Sequence, residues 1–282
     1  MLTEEQVRHF ETLGFLQCRQ SFSQEEVARL SNAFDDAMKR ARGGTPEPIL
    51  EQDDDGYTRA SQDEIPFFHQ DPDVFYPLLD DPRIMEPLAQ LLGDDFLLAM
   101  HSAVIYGGGT KWHHDVVAPE GFTTMRAAMY LDRLGPDDGC LTIMPGSHLK
   151  EYRDALVRGL GSFDNQNSLG VPLNDVPGQY DLVNEPGDVI FMNHKLYHCS
   201  IGRRAGVTPA RRILRVTCVQ NTSREKNEEH YRWLIEHLNG MTHDGRTIYG
   251  ADLIAGAGPL CRAAIERGVA LGFGMGELIG LD

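Results

Sequence analysis

The segment TKWHHDVV, Thr110 to Val117, sets His113 and Asp115 two residues apart in a run that reads as a β-strand. Alternate side chains of a strand leave the same face, with Cα atoms roughly 6.5 Å apart. One imidazole and one carboxylate can therefore meet at a single ion while His114 faces away. A pair is an incomplete ligand set. A second imidazole would complete the two-histidine, one-carboxylate arrangement of non-heme Fe(II), which binds one side of the metal and leaves three positions open. The segment GDVIFMNHKLYHCS offers two candidates, His194 and His198.

The elements that must position these groups can be read from punctuation and period. Thr3 and Ser23 each stand three residues before Gln6 and Glu26, the reciprocal capping arrangement of a helix start. The first helix should stop at Gly14 and lead into a short strand, Phe15 to Cys18. The second should run from Gln24 to Arg42 and end at Gly43-Gly44. From Asp95 the period becomes strand-like in FLLAMHSAVIY, TTMRAAMYLD, CLTIMPGSH, YDLVNEPGDVIFMNH and RRILRVTCVQ, short β-rich runs bounded by Gly, Pro and Asp. The fold class is an all-β core with flanking helices, an eight-stranded, double-sheet jelly roll or double-stranded β-helix of the cupin-like kind. The chain reads as one domain over residues 1–282: N-terminal helices and a lid loop over 1–94, the β core over 95–221, and a helical extension over 222–282. Two polar stretches, 43–65 and 158–180, have the length of lids. A further helix is expected around Leu260 to Arg267. The extension should cover the barrel mouth or form a homodimer contact.

The motifs then resemble a known family. WHHD (Trp112 to Asp115), DGCLTIMPGSH (Asp138 to His148), and GDVIFMNHKLYHCS followed by an ARR (Gly187 to Arg212) resemble the phytanoyl-CoA dioxygenase family of Fe(II)/2-oxoglutarate oxygenases. The likeness spans roughly residues 5 to 220. It implies that the distal ligand is His198, eleven residues after Gly187, so that the metal set is His113, Asp115 and His198. It also implies Fe(II), 2-oxoglutarate and O2 as cofactors, with ascorbate as reductant in vitro.

The C5 carboxylate of 2-oxoglutarate needs a buried cationic fork, which a guanidinium provides. Arg211 and Arg212 compete for this role, because neighbours on a strand face opposite ways. Alternation favours Arg212, which shares a face with Leu214, Val216 and Cys218, whereas Arg211 shares one with Ile213 and Arg215. Alignment with the family's arginine favours Arg211, the preferred candidate. The resemblance adds the Ser200 hydroxyl at the same carboxylate and places His101 near the metal pocket. Ala128 stands about where the acyl-CoA member carries a tryptophan, which suggests a substrate other than phytanoyl-CoA.

The implied reaction is hydroxylation of an aliphatic C–H in a small metabolite or biosynthetic intermediate, with succinate and CO2 as co-products. Asp115 argues against halogenation, since halogenating relatives replace this carboxylate with a small residue. Two alternatives have other chemistry: a jelly-roll hydrolase or isomerase in which the same metal activates water, and a non-catalytic ligand-binding jelly roll. Other polar residues have plainer readings. His148 should bond backbone and shape its turn, His114 and His194 should be solvent-facing or structural, and Trp112 should buttress the ligand strand. Asp53 to Asp55 and the Arg203-Arg204 pair read as solvated loops.

Composition narrows the partners. A formal charge of -16 over 282 residues repels nucleic-acid backbones and anionic membranes, and no apolar run is long enough to cross a bilayer. The five cysteines lack CxxC spacing and read as buried thiols rather than disulfides. A small-molecule enzyme of the cytoplasm is the expectation.

Overall fold

The computed structural model describes residues 1–42, 51–52, 58–59, 61–65, 71–107, 109–115, 122–162, 168–171, 176–200, 211–221, 225 and 251–270. Helix α1 (Glu4–Leu13) and strand β1 (Phe15–Cys18) open the chain, and helix α2 (Gln24–Arg42) follows. Both helices start at reciprocal caps: Thr3 with Gln6, and Ser23 with Glu26. Gly14 ends α1 in the left-handed region at φ 81°. A Cβ at this position would fall 2.5 Å from His148 Nδ1, so glycine is required for packing as well as conformation.

Two short strands, β2 (Glu51–Gln52) and β3 (Thr58–Arg59), pair with each other, and β4 (Ser61–Ile65) joins the main sheet. Helices α3 (Pro72–Phe75) and α4 (Pro82–Leu92) lead into β5 (Leu97–Gly107), β6 (Thr110–His113), β7 (Thr124–Tyr130) and β8 (Leu141–Ile143). Helix α5 (Lys150–Leu160) precedes β9 (Tyr180–Leu182), β10 (Val189–Asn193), β11 (His198–Ser200) and β12 (Arg211–Val219). Helices α6 (Ala251–Gly256) and α7 (Pro259–Ala270) complete the described chain.

The strands form a six-stranded sheet, β1-β10-β7-β12-β5-β4, and a four-stranded sheet, β6-β11-β8-β9. They pack together through Ala128, Tyr130, Ile190, Met192 and Ile213 on one side and Ile143 and Leu182 on the other. The outer face of the larger sheet carries Ala127, Met129, Leu214 and Val216 and is covered by helical residues including Leu30, Phe34, Ile84 and Leu88. Burial on both faces explains why β7, β10 and β12 read as near-continuous apolar runs. The architecture is the expected jelly roll, with one more strand pairing than the sequence revealed: β4, inside a stretch read as loop, extends the sheet against β5.

Helix α7 buries Cys261, Ala264 and Ile265 in the core outside the larger sheet. Asp80 accepts the backbone N–H groups of Leu260 and Cys261 at 2.9 and 3.1 Å, and Arg267 reaches the Phe96 carbonyl at 2.9 Å. The described part of the C-terminal extension thus lies on the opposite face of that sheet from the cavity, not over its mouth. The expected stop at Gly43-Gly44, most of the 43–65 loop including Asp53 to Asp55, the Arg203-Arg204 pair and the helical stretch after Asn221 lie outside the described residues. All five cysteines are free thiols, four buried and Cys18 half-buried. No described helix is long and apolar enough to cross a membrane.

Candidate active site

The cavity opens between the two sheets. Both sheets line it, with Arg126, Tyr130 and Arg211 from the larger and His113, Leu141 and His198 from the smaller. His113 ends β6 and sits directly across from His198 on β11, which places the two imidazoles 4.3 Å apart between ring centroids. Asp115 lies beyond the strand, in a bend whose backbone N–H donates to the His194 carbonyl at 2.9 Å. The pair converges, but through this anchored bend rather than strand alternation. Asp115 Oδ1 stands 3.9 Å from His113 Nε2 and 3.7 Å from His198 Nε2. The three ligand atoms lie within 4.8 Å of one another.

The second nitrogen of each ring shows that these atoms suit a metal. Nδ1 of His113 lies 2.6 Å from the Lys111 carbonyl, and Nδ1 of His198 lies 2.9 Å from that of Leu196. A carbonyl accepts only, so each Nδ1 carries the proton and each Nε2 presents its lone pair to the cavity. Burial, followed by the neighbouring His113, pushes the His198 imidazole down to about 4; it stays neutral at ordinary pH, as a ligand must. Burial alone pushes the Asp115 carboxyl up. The Arg126 guanidinium and the imidazoles of His198, His194 and His113 outweigh that and hold it well below the usual carboxylate range.

The tandem arginines separate cleanly. Arg211 is 3 % exposed and lines the cavity. Its Nη1 donates to the Ser200 hydroxyl and, at 2.9 Å, to the Gly139 carbonyl, while Ser200 Oγ donates to the same carbonyl at 2.6 Å. Arg212 turns the other way and pairs with Asp132 at 2.7 Å and Asp35 at 3.1 Å. Alternation misjudged the polarity of the two faces: the cavity face of β12 is Arg211, Ile213 and Arg215, and the apolar face packs under helices. His101 pairs in register with Val216, on that helix-covered face, and does not line the cavity.

Four cavity residues escaped the sequence reading. Arg126 pairs with Asp115 Oδ2 at 3.1 Å. Tyr130 lies near Arg211, and burial pushes its phenol up to about 12, so it stays protonated. Arg215 donates to Ser102 Oγ at 3.1 Å and to the Tyr106 hydroxyl at 3.0 Å. The Tyr106 ring lies 5.9 Å from the guanidinium carbons of both Arg211 and Arg215. A signal existed: Arg126, Ala128 and Tyr130 alternate along β7, so an arginine stood on the face that also had to meet the ligand strands.

His194, His114, His148 and Trp112 are not among the residues that line the cavity. His194 is 5 % exposed rather than solvent-facing, and burial followed by the charge of Arg126 holds its pKa well below the ordinary value. His114 is buried with its ring 5.1 Å from that of Tyr197. His148 Nε2 bonds the Glu11 carbonyl at 3.1 Å, and Trp112 is fully buried behind the ligand strand. Part of the 158–180 stretch packs along that strand: Ser168 bridges His113, and the Leu169 N–H donates to the Trp112 carbonyl at 3.0 Å.

The phytanoyl-CoA dioxygenase family model matches residues 10–211, from the first helix to the first of the tandem arginines. The chain belongs to the phytanoyl-CoA dioxygenase family. Solved structures share its fold at low identity. The non-heme alpha ketoglutarate dependent carbocyclase SnoK from nogalamycin biosynthesis is 18% identical, with a TM-score of 0.57 over 78% of this chain and 84% of its own. HygX from Streptomyces hygroscopicus, solved with nickel and 2-oxoglutarate, is 21% identical, with a TM-score of 0.55 over 78% and 88%. The epimerase SnoN, solved with Fe3+, alpha ketoglutarate and nogalamycin RO, is 18% identical, with a TM-score of 0.55 over 77% and 83%. No curated protein matches the chain in sequence. HygX and SnoN are thus solved with nickel or Fe3+ together with the 2-oxo acid, and the present chain shares their fold and gathers His113, Asp115 and His198 as a set that could hold a metal ion.

Proposed function

We propose that the protein is an Fe(II)- and 2-oxoglutarate-dependent oxygenase that hydroxylates an aliphatic C–H of a small metabolite or biosynthetic intermediate. The observation that carries this reading is the placement of two sites on one short strand. His198 belongs to the triad, and Ser200, two residues on, shares its hydrogen bonding with Arg211. Two residues of strand span roughly 6.5 Å, close to the length of a five-carbon dicarboxylic acid. Such an acid can therefore chelate an ion at His113, Asp115 and His198 with one end and reach Arg211 with the other.

Bound Fe(II) would supply the oxidising chemistry, in which 2-oxoglutarate and O2 become succinate and CO2 and a substrate C–H is oxidised. The chain's own contribution is positional. His113, Asp115 and His198 each offer one atom from one side. Arg211 and Ser200 hold the C5 carboxylate, with the protonated Tyr130 phenol as a further donor beside them. Leu141, Ile190, Met192 and Ile213 form apolar wall that keeps water from the reacting atoms. The retained Asp115 carboxylate supports hydroxylation over halogenation. Ring closure and epimerisation begin with the same hydrogen removal, and the carbocyclase and epimerase among the neighbours make them the second reading.

The test is conversion of 2-oxoglutarate to succinate by protein reconstituted with Fe(II), O2 and ascorbate. Iron-dependent succinate, lost in Asp115→Ala, is the expected result. Iron-loaded protein that neither binds nor consumes 2-oxoglutarate would rule the proposal out.

A further inference from the structure

Asp115 differs from the other two candidate ligands in how it is held. His113 and His198 sit in paired strands with one ring nitrogen fixed by a carbonyl. Asp115 lies in a bend outside the ladder, and its carboxylate is held by a side chain from the opposite sheet. Oδ1 faces the two imidazole nitrogens, while Oδ2 meets Arg126 Nη1 at 3.1 Å. Arg126 is only 13 % exposed, and its Nε has no hydrogen-bond partner among the described residues. Asp115 Oδ2 likewise has no hydrogen-bond partner among the described residues, so the contact between the two is a close ion pair.

We propose that Arg126 is a positioning residue that keeps Asp115 a one-atom ligand by occupying Oδ2, so that three coordination positions stay open for 2-oxoglutarate and O2. This deepens the oxygenase reading and rests on it. A six-coordinate ion with three single-atom protein ligands has three positions left, two for the 2-oxo acid and one for O2. A carboxylate free to rotate onto the metal with both oxygens would take one of the three and compete with chelation. The guanidinium also draws electron density from the carboxylate, which weakens its second oxygen as a donor. No carboxylate or amide at position 126 could do both.

The experiment compares wild type with Arg126→Met, which keeps length without charge, and Arg126→Lys, which restores the charge. Each is loaded with Co(II), which is redox-inert here, and titrated with 2-oxoglutarate by calorimetry; the visible absorption of the cobalt reports its ligand set. The Met variant should bind 2-oxoglutarate about 10- to 100-fold more weakly, the range for groups that orient metal ligands. Its cobalt spectrum should differ from that of wild type, because a second carboxylate oxygen replaces one exchangeable ligand at unchanged coordination number, and the Lys variant should stay near wild type. Wild-type affinity and band shape in Arg126→Met would overturn the inference. Should that variant not fold, Arg126→Gln carries the same test, with unchanged affinity again decisive against it. Wild-type protein that takes up no metal would overturn the oxygenase reading and this inference together, whereas normal loading with an insensitive variant overturns the inference alone.

Discussion

Replacing one or the other of two adjacent arginines should separate co-substrate binding from fold stability. Arg211→Met removes the buried guanidinium that the proposal assigns to the C5 carboxylate of 2-oxoglutarate. Two charge-assisted hydrogen bonds, each worth about 1.5–3 kcal/mol, would be lost, so affinity should fall by about 100- to 10,000-fold. The fold should survive, because the Gly139 carbonyl keeps its 2.6 Å bond from Ser200 Oγ when Arg211 is gone. Arg212→Met instead cuts a partly exposed pair with Asp132 and Asp35, while the Arg212 backbone N–H still reaches Asp132 at 2.8 Å. Such pairs contribute up to about 1 kcal/mol, so the variant should lose a little thermal stability and bind 2-oxoglutarate as wild type does. Calorimetric titration into Ni(II)-loaded protein measures both. Equal losses in the two variants, or wild-type affinity in Arg211→Met, would refute the assignment of the cavity face to Arg211.

Three further outcomes follow from the same geometry. The metal-free protein should become less stable as pH falls from about 6.5 toward 4. His198 titrates near 6.5 unfolded and near 4 folded, so acid favours the unfolded chain by up to about 3 kcal/mol. Thermal unfolding of His198→Gln across that window should show a shallower slope, and an identical slope would contradict it. Gly14→Ala should cost about 1–3 kcal/mol, since it puts a Cβ at φ 81° against His148; an unchanged melting temperature would show that the contact relaxes freely. Asp115→Ala should abolish specific metal uptake while leaving the metal-free protein folded, as monitored by calorimetry and circular dichroism.

Much of this was legible before any coordinates. Capping residues fixed the two opening helices because those signals are local. The jelly roll followed from period and punctuation, and the family motifs supplied His198, whose partnership with His113 depends on pairing two segments far apart in sequence. What stayed hidden was whatever depended on which face of a strand looks inward. Alternation on β12 pointed to Arg212 on the assumption that the apolar side faces the cavity. In a sheet buried on both faces that assumption fails, because the helix-covered side is the more apolar one. The same oversight hid Arg126 and Arg215, whereas the family resemblance put His101 near the metal pocket when its register sets it under the helices. Strand β4 was lost inside a polar, Gly- and Pro-rich stretch whose composition reads as loop, and α5 was overlooked between a turn motif and a candidate lid.

The most direct test of the central claim is anomalous diffraction from crystals grown with Ni(II) and 2-oxoglutarate. The account predicts one metal peak bound by His113 Nε2, Asp115 Oδ1 and His198 Nε2, with the distal carboxylate of the acid on Arg211. A metal bound without one of those three atoms, or 2-oxoglutarate lying away from Arg211, would contradict it.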